Sequence, residues 1–385
     1  MEMKLIKNVK TYTPVAEGIK DVLIAGGKIQ WIGEAGEGER ISLPGLEVIE
    51  GTGKSLMPGF IDQHVHITGG GGEGGFKTRV PEISLTRFIE SGVTSVLGLL
   101  GTDASTRSIE NLVAKGKALK EEGMSVYLVS GSYEYPSVNL TGTMKRDVIY
   151  IEEMVGGKVA LSDHRASQVT WQELARIASE VRVAGMISSK AGILVLHMGS
   201  GKEGLEKVFD VIEKTEIPIT TMRPTHVNRQ ENLLEQGFRF AKMGGMIDLT
   251  CGTYKDLKPG IVVRRAEKQG VPLENITFSS DGYGSWSSYD EKGNMVKIGV
   301  SKVSTLWEAF QDMVGNQGYK IEEALPFFTT NVAKGLRIDH EKGSIETGKD
   351  ADLLMISNDH RLELVMNRGK IMMRDGKIEY NGTYE

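Results

Sequence analysis

The chain has 385 residues, with 46 Lys plus Arg against 51 Asp plus Glu, a formal net charge of −5. A mildly acidic chain without a Lys/Arg run argues against a nucleic-acid surface, and a single cysteine, Cys251, excludes an internal disulfide and a cysteine-rich zinc module. The opening stretch MEMKLIKNVKTYTP lacks the apolar core of a secretion signal, and no apolar run approaches the ~18 residues of a membrane span. The expectation is a soluble, cytoplasmic protein with neither nucleic-acid nor membrane partners.

Up to about Lys54 the texture is short strands with turn signals: KLIKNV, DVLIAGGKIQWIGE and GLEVIEG. Ala25-Gly26-Gly27-Lys28 reads as a hairpin turn. From Ser55 to Leu336 short apolar runs alternate with amphipathic ones. Strands are expected at 57–62, 93–99, 125–131, 157–162, 193–197, 218–222, 246–251 and 276–281. Helical stretches such as SIENLVAKGKALKEEG and TWQELARIASEVRVAG lie between most of them, and Thr170 and Glu173 have capping-box spacing. Eight such alternations fit an α/β fold of the (β/α)8 TIM-barrel type; a doubly wound sheet is the alternative. Beyond Arg337 strand-and-turn texture returns, with a second hairpin in NRGKIMMRDGK. The economical division is a small β-sandwich-like domain of residues 1–55 with 337–385, flanking a barrel over 56–336.

Two glycine-rich stretches need separate readings. Gly51-Thr52-Gly53-Lys54-Ser55 ends like a phosphate-binding loop, but Val48 stands where its first glycine belongs and a strand follows. The run from Gly69 to Gly75, broken by Glu73, follows the first barrel strand, where an active-site loop belongs.

Chemistry concentrates at strand ends. His64 and His66 form His-x-His at the end of strand 1, His197 closes strand 5, His226 follows strand 6 and Asp281 closes strand 8. Parallel barrel strands end on one rim, so these five residues converge at its mouth. Imidazole with carboxylate suits zinc and related first-row metals. Any one histidine alone would be a surface or capping residue; five metal-competent residues at strand ends are harder to explain that way.

Pro58-Gly59-Phe60-Ile61-Asp62-Gln63-His64-Val65-His66 and Gly343-Ser344-Ile345-Glu346-Thr347-Gly348-Lys349-Asp350-Ala351-Asp352-Leu353 resemble signatures of the amidohydrolase superfamily. The likeness is closest to its β-aspartyl (isoaspartyl) dipeptidases and covers essentially the whole chain. GFIDQHVHITGGGGEGG, GLLGTD, GSYEYPS, KVALSDHR, HMG, PTHVNR and SSDGYGS carry it. The resemblance implies two divalent metal ions, most often Zn2+. His64 and His66 would hold the more buried ion and His197 and His226 the more exposed one. Lys158 would bridge them as a CO2-derived carbamate (N6-carboxylysine), and Asp281 would complete the first site. It further implies hydrolysis of the β-aspartyl amide by a metal-bridged hydroxide, with Asp281 as proton carrier, Tyr133 as donor to the oxyanion, and a homo-oligomer, octamers being known in the family.

The substrate would then be a small zwitterionic dipeptide. Glu73 suits its free amino group, and Arg165 and Arg229 its carboxylates, because guanidinium binds carboxylate bidentately. Gly71, Gly72, Thr102, Tyr133 and Ser285 could add further contacts. A cyclic-amide hydrolase of the dihydroorotase or hydantoinase kind would share the metal core and differ at Glu73 and the arginines. A superfamily deaminase or a non-enzymatic binding protein on the same fold are remoter alternatives. His164 and Cys251 have no assigned role, Cys251 reading as core packing.

Overall fold

Gly26 and Gly27 adopt φ of 61° and 79°, the left-handed pair that a two-residue hairpin turn requires. In the computed structural model, which describes residues 3–252, 256–292 and 294–385, this turn joins strands Ala16–Ala25 and Lys28–Glu34 with Ala25 opposite Lys28. The C-terminal end repeats the device. Arg368 and Gly369 (46° and 75°), then Asp375 and Gly376 (47° and 70°), reverse the chain between Leu362–Asn367, Lys370–Arg374 and Lys377–Ile378.

With Met3–Tyr12, Leu46–Glu50, Ser55–Pro58 and Leu353–Ile356 these strands make one nine-stranded sheet from both chain ends. Ser55–Pro58 is its joint, parallel to the end of Met3–Tyr12 on one side and antiparallel to Leu353–Ile356 on the other. The sheet encloses its own apolar cluster, with Ile6, Val22 and Ile24 from the N-terminal part against Leu353, Leu364 and Met366 from the C-terminal part.

The intervening chain forms eight parallel strands, numbered here β1 Phe60–Val65, β2 Val93–Gly98, β3 Ser125–Gly131, β4 Met154–Leu161, β5 Ile193–Met198, β6 Met222–Thr225, β7 Ile247–Thr250 and β8 Ile276–Ser279. Nearly every residue in them is buried, as expected for parallel strands covered by helices. Helix Trp171–Ser188 opens with the capping box expected at Thr170 and Glu173, the Glu173 carboxylate accepting from Thr170 N–H at 2.7 Å. No helix among the described residues is long and apolar enough to cross a membrane.

Strands β1 to β6 form one curled ladder in chain order, whereas β7 and β8 pair only with each other. The architecture is a TIM-barrel-like parallel sheet beside a terminal sheet. Side chains span the two interruptions. Asp248 on β7 accepts from Thr225 of β6 at 2.7 Å, Ser279 of β8 at 2.6 Å and Gln63 of β1 at 2.7 Å. Asp62 on β1 accepts from the Ser280 N–H at 3.1 Å just beyond β8, where His66 N–H also donates to Gly282 O at 2.9 Å.

Two strands differ from their sequence expectation. The strand expected at 57–62 is two strands that change sheets at Gly59: the Gly59 N–H donates to Asp352 O in the terminal segment, and the Phe60 N–H to Gly92 O just before β2. The strand expected at 218–222 begins only at Met222, because Pro218 opens a tight 3-10 turn over Ile219–Thr221.

The C-terminal signature is a structural joint. The buried Lys342 ammonium donates to Asp350 at 2.7 Å, Asp352 at 2.6 Å and Ser125 of β3 at 2.7 Å. Burial disfavours its charge, but the two carboxylates prevail and hold the ammonium up at about 12. Lys342→Met leaves the buried Asp352 without its cation, while Asp350 keeps Lys28 at 2.9 Å, an effect of about 3 kcal/mol. We expect a correspondingly lower denaturant midpoint, and an unchanged midpoint would show that this joint does not hold the sheets together.

Candidate active site

The strand-end residues converge as their spacing predicts. His64 and His66 are 1% and 4% exposed, and His197 and His226 3% and 1%. The His64 and His197 rings each lie 4.8 Å from that of His226, centroid to centroid. Asp281 Oδ1 is 3.3 Å from His66 Nε2 and 3.7 Å from His64 Nε2. Donor atoms of His64, His226 and Asp281 lie within 4.8 Å of one another. His226 and Asp281 have φ of 62° and 53°, conformations that non-glycine residues keep only where the surroundings impose them. Lys158, from β4, is fully buried beside them. Its Nζ lies 3.3 Å from His64 Nε2 and donates to Leu100 O at 2.7 Å, and no carboxylate among the described residues is in ion-pair range.

Burial sets the protonation of this cluster. It holds all four histidines below their usual range, so their ring nitrogens keep lone pairs at neutral pH. It also pulls the Lys158 ammonium down to about 7, with Asp281 opposing. For Asp281 burial acts upward, but His226, His66 and Lys158 outweigh it and bring the carboxyl to about 2.

Metal binding can be tested on these atoms. Nδ1 of His64, Nδ1 of His66 and Nε2 of His226 are buried without a hydrogen-bond partner, an arrangement that costs about 1–3 kcal/mol per group in a protein interior. His64 and His66 turn Nε2 towards Asp281, and neutral imidazoles beside a carboxylate are a donor set for a divalent first-row ion. The residues fit such a group.

The cluster floors a cavity of about 430 Å3 whose walls include Tyr133, Arg165, Arg229 and Glu73. Glu73 Oε1 accepts from Ser285 Oγ at 2.8 Å, Arg165 Nη1 at 3.1 Å and Thr102 Oγ1 at 3.2 Å. Four of the expected substrate residues therefore meet at one carboxylate. Gly71 lines the cavity. Gly72 does not; its N–H turns to Thr78 O at 3.3 Å. The loop is pinned from behind by Arg107, which donates to the carbonyls of Thr68, Gly70 and Val80. Arg229 has no ion-pair partner among the described residues, and its Nε is buried without a hydrogen bond. The Tyr133 hydroxyl lies 2.8 Å from His197 Nδ1, and burial raises its phenol, keeping it protonated.

Three features escaped the sequence reading. Asp163, two residues before Arg165, grips that guanidinium at 2.9 and 2.8 Å and stands 3.1 Å from His197 Nε2. Burial alone would raise its carboxyl, but His197 and Arg165 hold it well below the usual range. The signal was its place in SDHR just beyond β4, the strand that carries Lys158. A hairpin of Ser285–Tyr289 and Met295–Val300 lays Trp286, Ser287 and Tyr289 along the cavity; the alternation in SWSSY was its signal. His164 stands on the cavity wall with its ring 4.8 Å from that of Tyr289. Cys251 is buried in the main core, its thiol pushed up by burial.

Residues 55–372 match the amidohydrolase family model. The β-aspartyl dipeptidase of Fervidobacterium islandicum AW-1, in a crystal structure with the dipeptide β-Asp-Leu, is 43% identical. The match covers 98% of this chain and 97% of that one, with a TM-score of 0.94. N-acetylglucosamine-6-phosphate deacetylase from Pasteurella multocida shares the fold at 17% identity and a TM-score of 0.67, over 97% of this chain and 100% of that one. Adenine deaminase 1 of Desulfotalea psychrophila is 22% identical over 94% of this chain, which spans only 55% of that protein's length. The chain belongs to the amidohydrolase family, among its β-aspartyl dipeptidases.

Proposed function

We propose that this protein is a metal-dependent dipeptidase that hydrolyses the β-aspartyl (isoaspartyl) amide of small zwitterionic dipeptides. The observation that carries the reading is Glu73, held by Thr102, Ser285 and Arg165 in the wall of a cavity floored by the histidine cluster. The β-Asp-Leu bound by the 43% identical relative supports the same substrate class.

His64, His66, Lys158, His197, His226 and Asp281 would together hold two divalent ions, zinc by family resemblance. Bound there, such ions polarise a scissile carbonyl and acidify water. A carbamate on Lys158 suits its surroundings. A buried ammonium among histidines with no carboxylate in ion-pair range is costly, and carboxylation replaces its positive charge with a negative one. Asp281 would take the proton of the attacking water and deliver it to the leaving amine. The protonated Tyr133 would donate to the oxygen on which negative charge develops. Glu73 would take the substrate ammonium, and Arg165 and Arg229 its two carboxylates, so that substrate charges of both signs replace the direct Arg165–Glu73 contact.

The same reading takes the parallel sheet as a closed (β/α)8 barrel over residues 56–336, with 1–55 and 337–385 as the flanking domain. The side chains bridging β6 to β7 and β8 to β1 support closure. One buried cysteine without a disulfide fits a cytoplasmic setting. A homo-oligomer rests on the family resemblance.

The first test compares β-Asp-Leu with α-Asp-Leu and dihydroorotate, with metal content measured on the same sample. We expect cleavage of the β-linked dipeptide alone, with close to two ions per chain by the family pattern; turnover of the cyclic amide instead would overturn the assignment of Glu73 and the arginines. Asp281→Asn is expected to lower kcat by about 10²–10⁴-fold with the protein still folded, and near-normal turnover would remove Asp281 as proton carrier. Glu73→Gln should lower kcat/KM for the free dipeptide by roughly 10–100-fold and affect an N-acetylated one far less. An equal loss on both would sink the amino-group role.

A further inference from the structure

A second polar cavity opens at the end of the sheet opposite the histidines. It measures about 320 Å3, and its lining draws on the starts of β5, β6, β7 and β8 through Ile193, Arg223, Met246 and Asn275. That volume sits at the lower end of small-ligand sites, ~300–1,000 Å3. Arg182, Arg223, Lys334 and Arg337 line it, and no carboxylate does.

Arg223 is the unusual member. It is the second residue of the short strand β6, 5% exposed, and shares a face with Thr225, which bonds to the buried Asp248. One guanidinium nitrogen, Nη2, donates to Gly335 O at 3.1 Å, and Nη1 meets only the Met246 sulfur. Nε has no partner, and no ion pair reaches the group among the described residues. The chain makes room for this side chain, since a Cβ at position 335 would stand 2.3 Å from Nη1. Burial lowers the guanidinium to about 10, so it stays charged at neutral pH. Nothing in the barrel bottom neutralises it directly, and a lone buried charge is costly.

The other three cations are equally uncommitted. Arg182 and Lys334 have no ion-pair partner among the described residues, and Arg337 donates only to Lys190 O, at 3.4 Å. Four cations round one concavity, with no acid among them, focus a positive potential into it. Guanidinium groups present the forked donors that match a tetrahedral or planar oxyanion.

We propose that this cavity binds a small, multiply charged oxyanion of the phosphate class, with Arg223 as its buried anchor and Arg182, Lys334 and Arg337 closing round it. The site is separate from the catalytic mouth and does not depend on the dipeptidase reading. Its occupant supplies the charge that the sequence leaves out of this end of the sheet, and β6 leads from its anchor Arg223 to His226.

The test titrates the metal-loaded protein with inorganic phosphate and, separately, with glycerol 3-phosphate, at ionic strength matched by NaCl. At about ten times the dissociation constant the unfolding midpoint should rise by about 2 °C. Metals at the mouth also take phosphate, so the discriminating variant is the exposed pair Lys334→Ala/Arg337→Ala, which leaves dipeptide turnover unchanged. There we expect binding about tenfold weaker and the midpoint shift lost. Arg223→Met should abolish both; if it does not fold, the double variant decides alone. Tighter binding of the monoester assigns an organic phosphate, and tighter binding of phosphate a free ion. No shift beyond matched NaCl, or unchanged affinity in the double variant, overturns the proposal.

Discussion

Lys158 occupies the middle of the histidine cluster with its amine between His64 and a backbone carbonyl, four imidazoles nearby and Asp281 as the one carboxylate acting on it. In so dry a setting the cluster cannot carry a row of positive charges. Burial resolves this by keeping the histidines neutral and weakening the lysine's hold on its proton. The result is a set of lone pairs held by strands whose positions are decided elsewhere. Much else around the mouth reads as support for that arrangement.

The support has two layers. Beneath the histidines, Gln63, Asp248, Thr225, Thr277 and Ser279 form a buried polar net, and Asp62 accepts from Ser280 beside it. Burial raises Asp248 to about 6 and Asp62 to about 7, hydrogen bonds from neighbouring hydroxyls and amides acting the other way. This net lies where the backbone ladder is interrupted, between β6 and β7 and between β8 and β1. Side chains thus join the main-chain bond from His66 N–H to Gly282 O in fixing the relative height of the segments that carry His64, His226 and Asp281. Around the mouth, Asp163, Arg165 and Glu73 alternate in charge, so that His197, the guanidinium and the glycine loop hold one another.

The two ends of the parallel sheet treat charge differently. At the mouth Arg165 is paired with two carboxylates, whereas Arg229 is left without one. At the bottom four cations face a cavity with no acid. An unpaired arginine in a folded interior is a place where binding energy can be recovered. Arg229 lines the histidine-floored cavity and Arg223 the one at the opposite end of the sheet, each without a carboxylate partner among the described residues.

Much of the molecule was legible from sequence because its determinants are local. Paired residues of positive φ reverse the chain at Gly26-Gly27, Arg368-Gly369 and Asp375-Gly376. Thr170 and Glu173 close a capping box within one helical turn, and His-x-His points two rings the same way because the strand period is two. The end of a parallel strand also determines the rim to which a residue belongs, which is why His197, His226 and Asp281 could be grouped across 84 residues of chain. Tertiary structure alone decided the pairings between distant segments. Ser285 reaches Glu73 across 212 residues and Gln63 reaches Asp248 across 185, and the change of sheet at Gly59 depends on Asp352 arriving from the far end of the chain. The physical reason is that turn geometry and side-chain period act within a few residues. Which buried charge meets which partner is set only when the sheets close and water is excluded.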